Sequence, residues 1–290
     1  MTLAQPTDLS PYAGTTDLGL VAVDMDGTLL DDAKRFPPGI DALLDALDAR
    51  GVVFAPASGR QVWTLLDMFP GRPGMTVIGE NGAIVMKDGK EISSSPLDHA
   101  TIDAAIDYVR AAVADGIDGG LVLCGKRSAY VERHDDPFVS GVLPYYHRTA
   151  KVDDQHEVLR RMESGELDDD IVKMAVMCLD PVGPLAERTL ARFAQTHAYA
   201  PSGDHWADLQ IRGIDKGLAV RALQKSLGVS RERTAAFGDF HNDIAMLEEA
   251  GWSFAMANAH DDVVDAAAYV APSNNEDGVG TVLRTLLGIE

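Results

Sequence analysis

The sequence predicts an α/β protein with a core domain built on a parallel sheet and interrupted by an inserted α+β domain. At both ends of the chain, short apolar runs alternate with amphipathic segments, which is typical of βαβ units. In the middle, strand-like and helix-like segments follow one another without that strict alternation. We therefore expect a discontinuous core domain over residues 1–83 and 203–290 and an inserted domain over residues 84–202.

The elements follow from hydrophobic spacing and from turn residues. In the first core segment, Ile40, Leu43, Leu44 and Leu47 recur at helical spacing, and Gly51 follows as a helix stop. The predicted elements of this segment are strands over 19–24, 52–58 and 75–79 and helices over 39–50 and 60–68.

The inserted segment is predicted to open with a hairpin that turns at Asp88-Gly89. Its other predicted elements are helices over 98–114, 153–163 and 184–196 and strands over 120–124, 128–132 and 171–179. When the core pattern resumes, the predicted elements are helices over 216–227 and 242–250 and strands over 234–239, 252–257 and 267–271.

Composition restricts the class of partner. The 290 residues carry 25 basic and 45 acidic side chains, for a formal net charge of −20. A surface this acidic repels nucleic acid and anionic membranes, so neither is an expected partner. A phosphorylated substrate would meet the same repulsion unless a divalent cation and a few placed basic residues reversed the field locally.

Location is predicted from apolar runs and cysteines. No apolar run reaches the roughly 18 residues that span a bilayer, and residues 1–17 resemble no secretory signal, so we expect a short, loosely ordered lead there. Cys124 and Cys178 each lie in an apolar segment outside any CxxC pattern. Buried thiols in a cytoplasmic protein are the expected interpretation, with a disulfide as the alternative.

The most specific motif is Asp24-Met25-Asp26-Gly27-Thr28, directly after the first predicted strand. Ligands bind beyond the carboxyl ends of parallel strands. Two carboxylates at that point are costly to bury unless they bind a cation or take part in chemistry. Gly27 permits a sharp turn and Thr28 supplies a hydroxyl. The structural alternative is a turn with two solvated aspartates.

Three further polar clusters follow predicted strands or open predicted helices: Ser58-Gly59-Arg60, Lys216, and Gly238–Asp243. A hydroxyl and amides at a helix start bind anions, and a lysine there opposes the helix dipole unless an anion is present. Carboxylate and amide oxygens suit Mg²⁺ better than Zn²⁺. Taken singly, each cluster has an alternative as a helix cap or a solvated side chain, but their joint occurrence in order favours one phosphate site.

These four motifs, over residues 19–82 and 205–290, resemble the haloacid dehalogenase-like hydrolase superfamily. The resemblance implies a Rossmann-like core and a phosphatase in which Asp24 is the covalent nucleophile and Asp26 the general acid and base. It also implies that Ser58 and Lys216 hold the transferring phosphoryl group.

The resemblance further implies a Mg²⁺ cofactor bound by Asp24, Asp26 through its carbonyl, and Asp239, with Asp243 orienting a metal-bound water. Asn242 would stabilise the lysine or the phosphoryl group. The implied phosphate-binding residues are Asp24, Gly27, Thr28, Ser58, Gly59, Lys216 and Asn242.

The place of the insertion indicates the subgroup. Asp24 and Ser58 are too close in sequence to enclose a domain, whereas the chain between Ser58 and Lys216 is long enough. With Gly79–Ala83, Asn258-Ala259 and Glu276–Val279, this arrangement resembles the Cof-type sugar phosphatases with a class IIB cap. Candidate substrate contacts are Arg60, Asn81, Lys126, Arg127, Arg133 and Lys173. For each of the last four, a solvated surface role is the favoured alternative.

The expected function is hydrolysis of small phosphorylated metabolites, with sugar phosphates as the default and flavin mononucleotide and pyridoxal phosphate as alternatives. A phosphomutase of the phosphomannomutase type is the nearest rival enzyme, because the resemblance extends to that architecture. A catalytically silent regulatory or binding protein is the alternative outside enzymes. Neither substrate identity nor oligomeric state follows from the motifs.

Overall fold

The computed structural model describes residues 3–289, which form two compact units. The first unit comprises residues up to Gly59, Gly71–Ser93 and residues from Asp215 onward. The second unit comprises Arg60–Pro70 and Ser94–Ile214. Each unit is built around its own sheet.

Strands account for both sheets. In chain order they are β1 Leu20–Asp24, β2 Val53–Ala57, β3 Val77–Gly79, β4 Ile84–Lys87, β5 Lys90–Ser94, β6 Gly119–Gly125, β7 Ala129–Val131, β8 Thr149–Lys151, β9 Ile171–Cys178, β10 His197–Pro201, β11 Trp206–Ile211, β12 Thr234–Gly238, β13 Trp252–Met256 and β14 Tyr269–Ala271.

Helices connect them. In chain order they are α1 Ile40–Ala49, α2 Val62–Asp67, α3 His99–Ala114, α4 Asp136–Val142, α5 Gln155–Glu163, α6 Gly183–Arg188, α7 Lys216–Leu227, α8 Ile244–Glu248, α9 Asp261–Ala266 and α10 Gly278–Leu287.

The sheet of the first unit has the order β14-β13-β12-β1-β2-β3-β4-β5 and is parallel from β14 to β3. β1 lies in its middle and every residue of this strand is buried, which explains its continuous apolar sequence. The chain runs from β1 toward β2 on one side and places β12 on the other. Strand order therefore reverses at β1, and such a reversal opens a ligand-binding crevice at the carboxyl ends of the strands. The predicted fold class is confirmed.

The sheet of the second unit has the order β10-β11-β9-β6-β7-β8 and is antiparallel except for β7 and β8. Alternate residues of β6 point to opposite faces: Leu121 and Leu123 pack in a cluster with α3, α5 and α6, whereas Val122 and Cys124 pack in another with α4. Both faces are thus apolar, which is why the strand sequence shows no polar alternation.

The limits of the inserted part differ from the predicted 84–202. The β4–β5 hairpin extends the first sheet by pairing β4 antiparallel to β3, so a boundary at 84 would cut that sheet. A boundary at 202 would separate β10 from its antiparallel partner β11. Helix α2, predicted within the core, belongs to the second unit, where Thr64 donates to the Tyr145 carbonyl and Gln61 to the Arg148 carbonyl.

The lead before β1 is not loose along its described part. The Ala4 amide donates to the Ala257 carbonyl at 2.8 Å and the Thr7 amide to the Val270 carbonyl at 2.9 Å. These bonds fasten the lead beside β13 and β14. Cys124 and Cys178 are buried thiols with no disulfide between them, as expected. Within residues 3–289, the helices are all too short or too polar to traverse a bilayer.

Candidate active site

The register of the first sheet brings three motifs to one edge. Asp24, the last residue of β1, pairs with Ala57 of β2, so Ser58 follows directly beside it. On the other side Val23 pairs with Phe237, so Gly238 and then Asp239 follow at the same level. Parallel strands end at the same edge of a sheet, and here that edge carries the acidic and hydroxyl side chains that the sequence predicts.

A buried ion cluster lies at this edge. The Lys216 ammonium contacts Asp24 Oδ1 at 2.5 Å and Asp243 Oδ1 at 2.7 Å. Lys216 and Asp243 are fully buried, and Asp24 is 8% exposed. Lys216 is the first residue of α7, whose start is capped by the Asp215 side chain accepting from the Leu218 amide. A lysine at a helix start is disfavoured by the dipole, so the two carboxylates explain its position.

Asp243 organises the loop after β12. Its Oδ2 accepts from the backbone amides of Asp239 at 3.0 Å and Phe240 at 3.1 Å, while its Oδ1 accepts from Lys216. Gly238 must be a glycine, since an added Cβ would lie 2.4 Å from the Asp243 Cβ. The Asp243 carboxylate is therefore engaged on both oxygens, which fits the predicted role of orienting other groups.

Asp239 projects from the same loop toward the first motif. The Thr28 hydroxyl donates to its Oδ1 at 2.9 Å. Gly27 has a φ of +87°, and a Cβ there would lie 2.4 Å from Asp239 Oδ2, so only glycine fits this approach. The side-chain amide of Asn258 holds this turn in place by donating to the Gly27 carbonyl at 2.8 Å. The Thr28 hydroxyl thus contacts a predicted metal ligand, while its predicted role in phosphate binding stays a prediction.

The electrostatics of the cluster are unusual. Burial and the neighbouring Asp243 carboxylate raise the pKa of Asp24 well above its ordinary value, although Lys216 opposes the shift. Burial also raises the pKa of Asp239 to about 6, against the lowering effect of the Thr28 hydroxyl. Burial lowers the pKa of Lys216, but the carboxylates of Asp24 and Asp243 outweigh it and the pKa is raised. Burial is thus the main cause of the raised carboxyl pKa values, whereas the two carboxylate partners account for the raised pKa of the lysine.

The donor set fits a hard divalent cation. One carboxylate oxygen from each of Asp24, Asp239 and Asp243 lies within 4.8 Å of the others. Three carboxylates face one ammonium, so a divalent cation would balance the charge. An all-oxygen set of this kind suits Mg²⁺.

Asp26 lies at the open side of the site. Its Oδ1 contacts the Lys34 ammonium at 2.9 Å, and about a third of the Asp26 side chain is exposed. Solvent access is what a residue needs if it is to exchange protons with a leaving group and with water. Lys34 was not among the predicted site residues, because it lies outside every motif. In the structure it lies in the loop after β1 with a positive φ of 61°.

The remaining core candidates form a polar edge beside Asp24. Ser58 is buried; its amide donates to the Ile78 carbonyl, and its carbonyl accepts from the Asn81 amide. Asn81 has a left-handed φ of 54°. Its side-chain carbonyl accepts from the side-chain amide of Asn242 at 3.2 Å. A Cβ on Gly59 would lie 3.1 Å from that same Asn81 oxygen. The predicted phosphate-binding residues thus lie together in the first unit.

Most predicted substrate contacts belong to the second unit and have local acidic partners. Lys126 pairs with Asp170 and Arg127 with Asp168. Arg133 pairs with Asp118 and Asp135 at 2.5 Å each. These pairs favour a structural role, and the three residues stay predictions as substrate contacts.

Arg60 and Lys173 have aromatic neighbours. The Arg60 guanidinium lies 5.6 Å from the Tyr145 ring, and the Lys173 ammonium lies 5.6 Å from the Tyr146 ring. Lys173 is 2% exposed and 3.7 Å from Asp208. Lys173 is thus a buried residue and not the solvated surface lysine that was its alternative.

Two asparagines support the site without having been predicted in it. Asn258 bridges Gly27 and Asn274, since its side-chain oxygen accepts from the Asn274 amide at 3.0 Å. The Asn274 side chain in turn donates to the Leu30 carbonyl. The sequence signal was present for Asn258, which lies at the end of a predicted strand, but nothing in the sequence indicated its partner.

Comparison with known proteins adds a family. A profile described as haloacid dehalogenase-like hydrolase matches residues 21–283. The 5-amino-6-(5-phospho-D-ribitylamino)uracil phosphatase YbjI of Escherichia coli K12 is 33% identical over 272 residues, covering 92% of this chain and 96% of that protein. A Bacillus subtilis phosphatase named for the same compound, YcsE, is 25% identical over 271 residues, covering 92% of this chain and 95% of that protein.

A solved structure of similar fold is a haloacid dehalogenase-like hydrolase from Bacteroides thetaiotaomicron. It has a TM-score of 0.78 and 21% identity, and the match covers 92% of this chain and 98% of that one. At this identity the likeness concerns the fold alone.

Proposed function

The chain belongs to the haloacid dehalogenase-like hydrolases, and we propose that it is a magnesium-dependent phosphatase acting through a covalent intermediate on Asp24. The family match and the named relatives make it a phosphatase of the Cof type, as the motifs predict. The metal, the covalent step and the substrate are what we propose. The carrying observation is the buried contact of Lys216 with Asp24 and Asp243 at the carboxyl edge of β1.

The first step is attack by Asp24 on phosphorus. The Asp24 carboxylate forms a bond to phosphorus as the ester oxygen leaves, and Asp26 donates a proton to that oxygen. Lys216 positions Asp24 through Oδ1. An ammonium has three hydrogens, of which Asp24 and Asp243 take two, so the third can reach a phosphoryl oxygen. Ser58, which follows the register partner of Asp24, would donate to another.

The second step is hydrolysis of the aspartyl phosphate. Asp26, now a carboxylate, takes a proton from water, the water oxygen attacks phosphorus, and Asp24 is released with inorganic phosphate. Mg²⁺ held by Asp24, Asp239 and the Asp26 carbonyl would neutralise the excess negative charge and keep Asp24 ionised. Thr28 and Asp243 hold Asp239 and its loop in place for this.

For the substrate we propose a phosphate monoester on a polyhydroxylated carbon chain. This class contains the sugar phosphates expected from the sequence. It also contains 5-amino-6-(5-phospho-D-ribitylamino)uracil, the compound named for the E. coli and B. subtilis relatives. Those names make that compound the second candidate substrate; flavin mononucleotide, whose phosphate also lies on a ribityl chain, falls in the same class, and pyridoxal phosphate remains the alternative outside it.

A panel of phosphate esters with the purified protein tests the proposal. Phosphate release from polyol phosphates should exceed that from esters without hydroxyl groups, compared as kcat/KM. Transfer of the phosphoryl group within a sugar bisphosphate and sugar monophosphate pair, without phosphate release, would instead identify a mutase. Mg²⁺ binding without turnover of any ester would favour a silent binding protein.

Replacing the nucleophile tests the covalent step. Asp24→Asn should reduce phosphate release at least about a thousandfold, because an amide cannot form the acyl phosphate. The matched control is Asp41→Asn, an exposed acid of α1, which should behave as wild type. Acid quenching during turnover should trap phosphate on a peptide containing residue 24 in the wild type. Activity of Asp24→Asn near that of the control would contradict the mechanism.

Chelation tests the metal. Excess chelator should abolish activity, and Mg²⁺ should restore it, whereas Ca²⁺ or Zn²⁺ should not, because the proposed site demands compact octahedral oxygen geometry. Full activity in chelator would exclude the Mg²⁺ proposal. We further propose a cytoplasmic location, which the two buried thiols support.

A further inference from the structure

We propose that His241, His260 and Asp262 of the first unit form a binding site for a divalent transition metal ion such as Zn²⁺, separate from the proposed magnesium site. We call these three residues the histidine cluster. His241 follows β12 in the loop that carries Asp239 and Asp243, and the other two residues lie at the start of α9. The inference is independent of the phosphatase mechanism.

The spacing of the cluster fits a metal polyhedron. His241 Nε2 lies 3.1 Å from Asp262 Oδ2, and His260 Nδ1 lies 3.6 Å from the same oxygen. One donor atom from each residue lies within 4.8 Å of the others. Zn²⁺ binds nitrogen and oxygen at about 2.0–2.2 Å, which sets the edges of its tetrahedron at roughly 3.4 Å. The two measured edges therefore bracket the required value.

The donor types select the metal. Two imidazoles and one carboxylate suit Zn²⁺, Ni²⁺ or Cu²⁺, whereas Mg²⁺ prefers oxygen alone. The cluster thus differs chemically from Asp24, Asp239 and Asp243, which offer only carboxylates. Its side chains are 44%, 38% and 65% exposed for His241, His260 and Asp262, so a metal can enter directly and water can complete its coordination.

The surrounding chain holds the two imidazoles together. Their ring centroids are 4.2 Å apart, and the Phe240 ring packs edge-on against His241 at 4.9 Å and His260 at 6.5 Å. The His260 amide donates to the Asp239 carbonyl at 3.0 Å, which ties the start of α9 to the loop after β12. Little rearrangement is then needed to bring the ligands to a common ion.

The position of His260 is suited to ligation. Its Nδ1 lies 3.3 Å from the Asp262 amide, a long hydrogen bond that the unprotonated nitrogen can accept. A metal needs an unprotonated imidazole nitrogen, and it would replace this weak bond with a stronger one. The Asp262 amide lies in an exposed first turn, where water can satisfy it. A chain with a net charge of −20 also attracts cations.

Equilibrium dialysis against Zn²⁺ tests the site, with the full-length protein held in saturating Mg²⁺. The wild type should bind one Zn²⁺ per chain. His241→Gln and His260→Gln should each weaken that affinity by at least about tenfold, since each removes one of three ligands. The control is His99→Gln, because His99 is a partly exposed histidine paired with one carboxylate at 2.8 Å, and it should bind as wild type. Thermal melts in chelator check that each variant is folded.

Cobalt gives an independent readout. Co²⁺ added to the wild type in Mg²⁺ should produce visible d–d absorption of a low-symmetry nitrogen site, and both cluster variants should lose it. Three outcomes would overturn the proposal: no Zn²⁺ bound to the wild type, equal binding by wild type and both variants, or Zn²⁺ that excess Mg²⁺ displaces. The last would place the ion at the carboxylates of Asp24 and Asp239. Because His241 is not a helix cap, its variant stays informative if His260→Gln fails to fold.

Discussion

Lys216 of the first unit and Lys173 of the second are both almost completely buried, yet their surroundings differ. Lys216 contacts two carboxylates at 2.5 and 2.7 Å. Lys173 lies on β9 with the Asp208 carboxylate at 3.7 Å and the Tyr146 ring at 5.6 Å. Lys216 is held by short contacts from two separate elements, whereas the Asp208 carboxylate and the Tyr146 ring lie farther from Lys173.

This difference indicates which of the two lysine ammonium groups has a fixed position. A buried ion is stabilised only when its geometry and hydrogen bonds are close to ideal. Lys216 meets that condition through Asp24 and Asp243, and Asp243 is itself held by two backbone amides. Its position is therefore set before any substrate arrives, which is what stabilisation of a transition state requires. The contacts of Lys173 with Asp208 and the Tyr146 ring are longer than those of Lys216, and its role as a substrate contact stays a prediction.

Of the changes that test this comparison, Lys216→Met should have the largest effect on kcat and on the free energy of unfolding. It should reduce kcat by about 10²–10³-fold, the loss typical of one transition-state donor. It should also lower the free energy of unfolding by about 3–5 kcal/mol, since two buried carboxylates lose their counter-ion. Urea melts and steady-state kinetics measure the two effects. An unchanged free energy of unfolding, together with a kcat within about twofold of the wild type, would contradict the comparison.

Lys173→Met should have a smaller and different effect. Asp208 is 13% exposed and can be partly solvated, so the free energy of unfolding should fall by about 1–2 kcal/mol. If Lys173 contacts the substrate beyond the phosphate, KM for polyol phosphates should rise about tenfold while kcat for a small activated ester stays unchanged. Equal losses for both substrates would assign Lys173 to structure alone.

The carboxyl groups of Asp24 and Asp239 predict that stabilisation of the fold by Mg²⁺ depends on pH. Without metal, Asp24 and Asp239 have raised pKa values, about 6 for Asp239, against an ordinary 3.8. Above pH 3.8 the folded state then keeps protons on these carboxyl groups that the unfolded state has lost. The free energy of unfolding therefore falls as the pH rises from 3.8 through the folded-state pKa values. Mg²⁺ binds the ionised form and should offset the loss.

Thermal melts with Mg²⁺ and with chelator measure this effect. The increase in Tm caused by Mg²⁺ should be larger by a few degrees at pH 8 than at pH 5. Asp239→Asn should reduce the increase at pH 8, whereas Asp41→Asn, the exposed control, should not. The same Tm increase at both pH values would show that these carboxylates are not the ligands.

Much of the first unit could be predicted from sequence, because buried parallel strands produce continuous apolar runs such as residues 19–24 and place polar motifs at their ends. The second unit was harder. β10 is only half-buried, and α4 contains Gly141, so neither gives a strong periodic pattern. Helix α10 shows helical spacing of Val279, Val282, Leu283 and Leu286, a signal that was present but not interpreted.

Contacts between distant residues were beyond reach for another reason. The Asp26 contact with Lys34 depends on the path of a loop, and the place of α2 in the second unit depends on hydrogen bonds to residues about 80 positions away. Local spacing contains no information on either. The motif residues were found because each could be interpreted at its own strand end, without knowledge of its partner.

The smallest effect is expected for Thr28→Val, which keeps the shape of a buried side chain and removes its hydroxyl. The hydroxyl donates to Asp239 Oδ1 at 2.9 Å and is the strongest influence opposing the burial that raises the Asp239 pKa. Its loss should therefore cost about 1 kcal/mol and raise the Mg²⁺ concentration for half-maximal activity by about fivefold, with kcat at saturating Mg²⁺ little changed. Thr28→Ser restores the hydroxyl without the methyl group and should recover the wild-type Mg²⁺ requirement. If Thr28→Val keeps the wild-type Mg²⁺ requirement while Thr28→Ser raises it, packing of the methyl group and not the hydrogen bond positions Asp239, and the first unit would owe less of its fixed geometry to hydrogen bonding than the comparison of the two lysines implies.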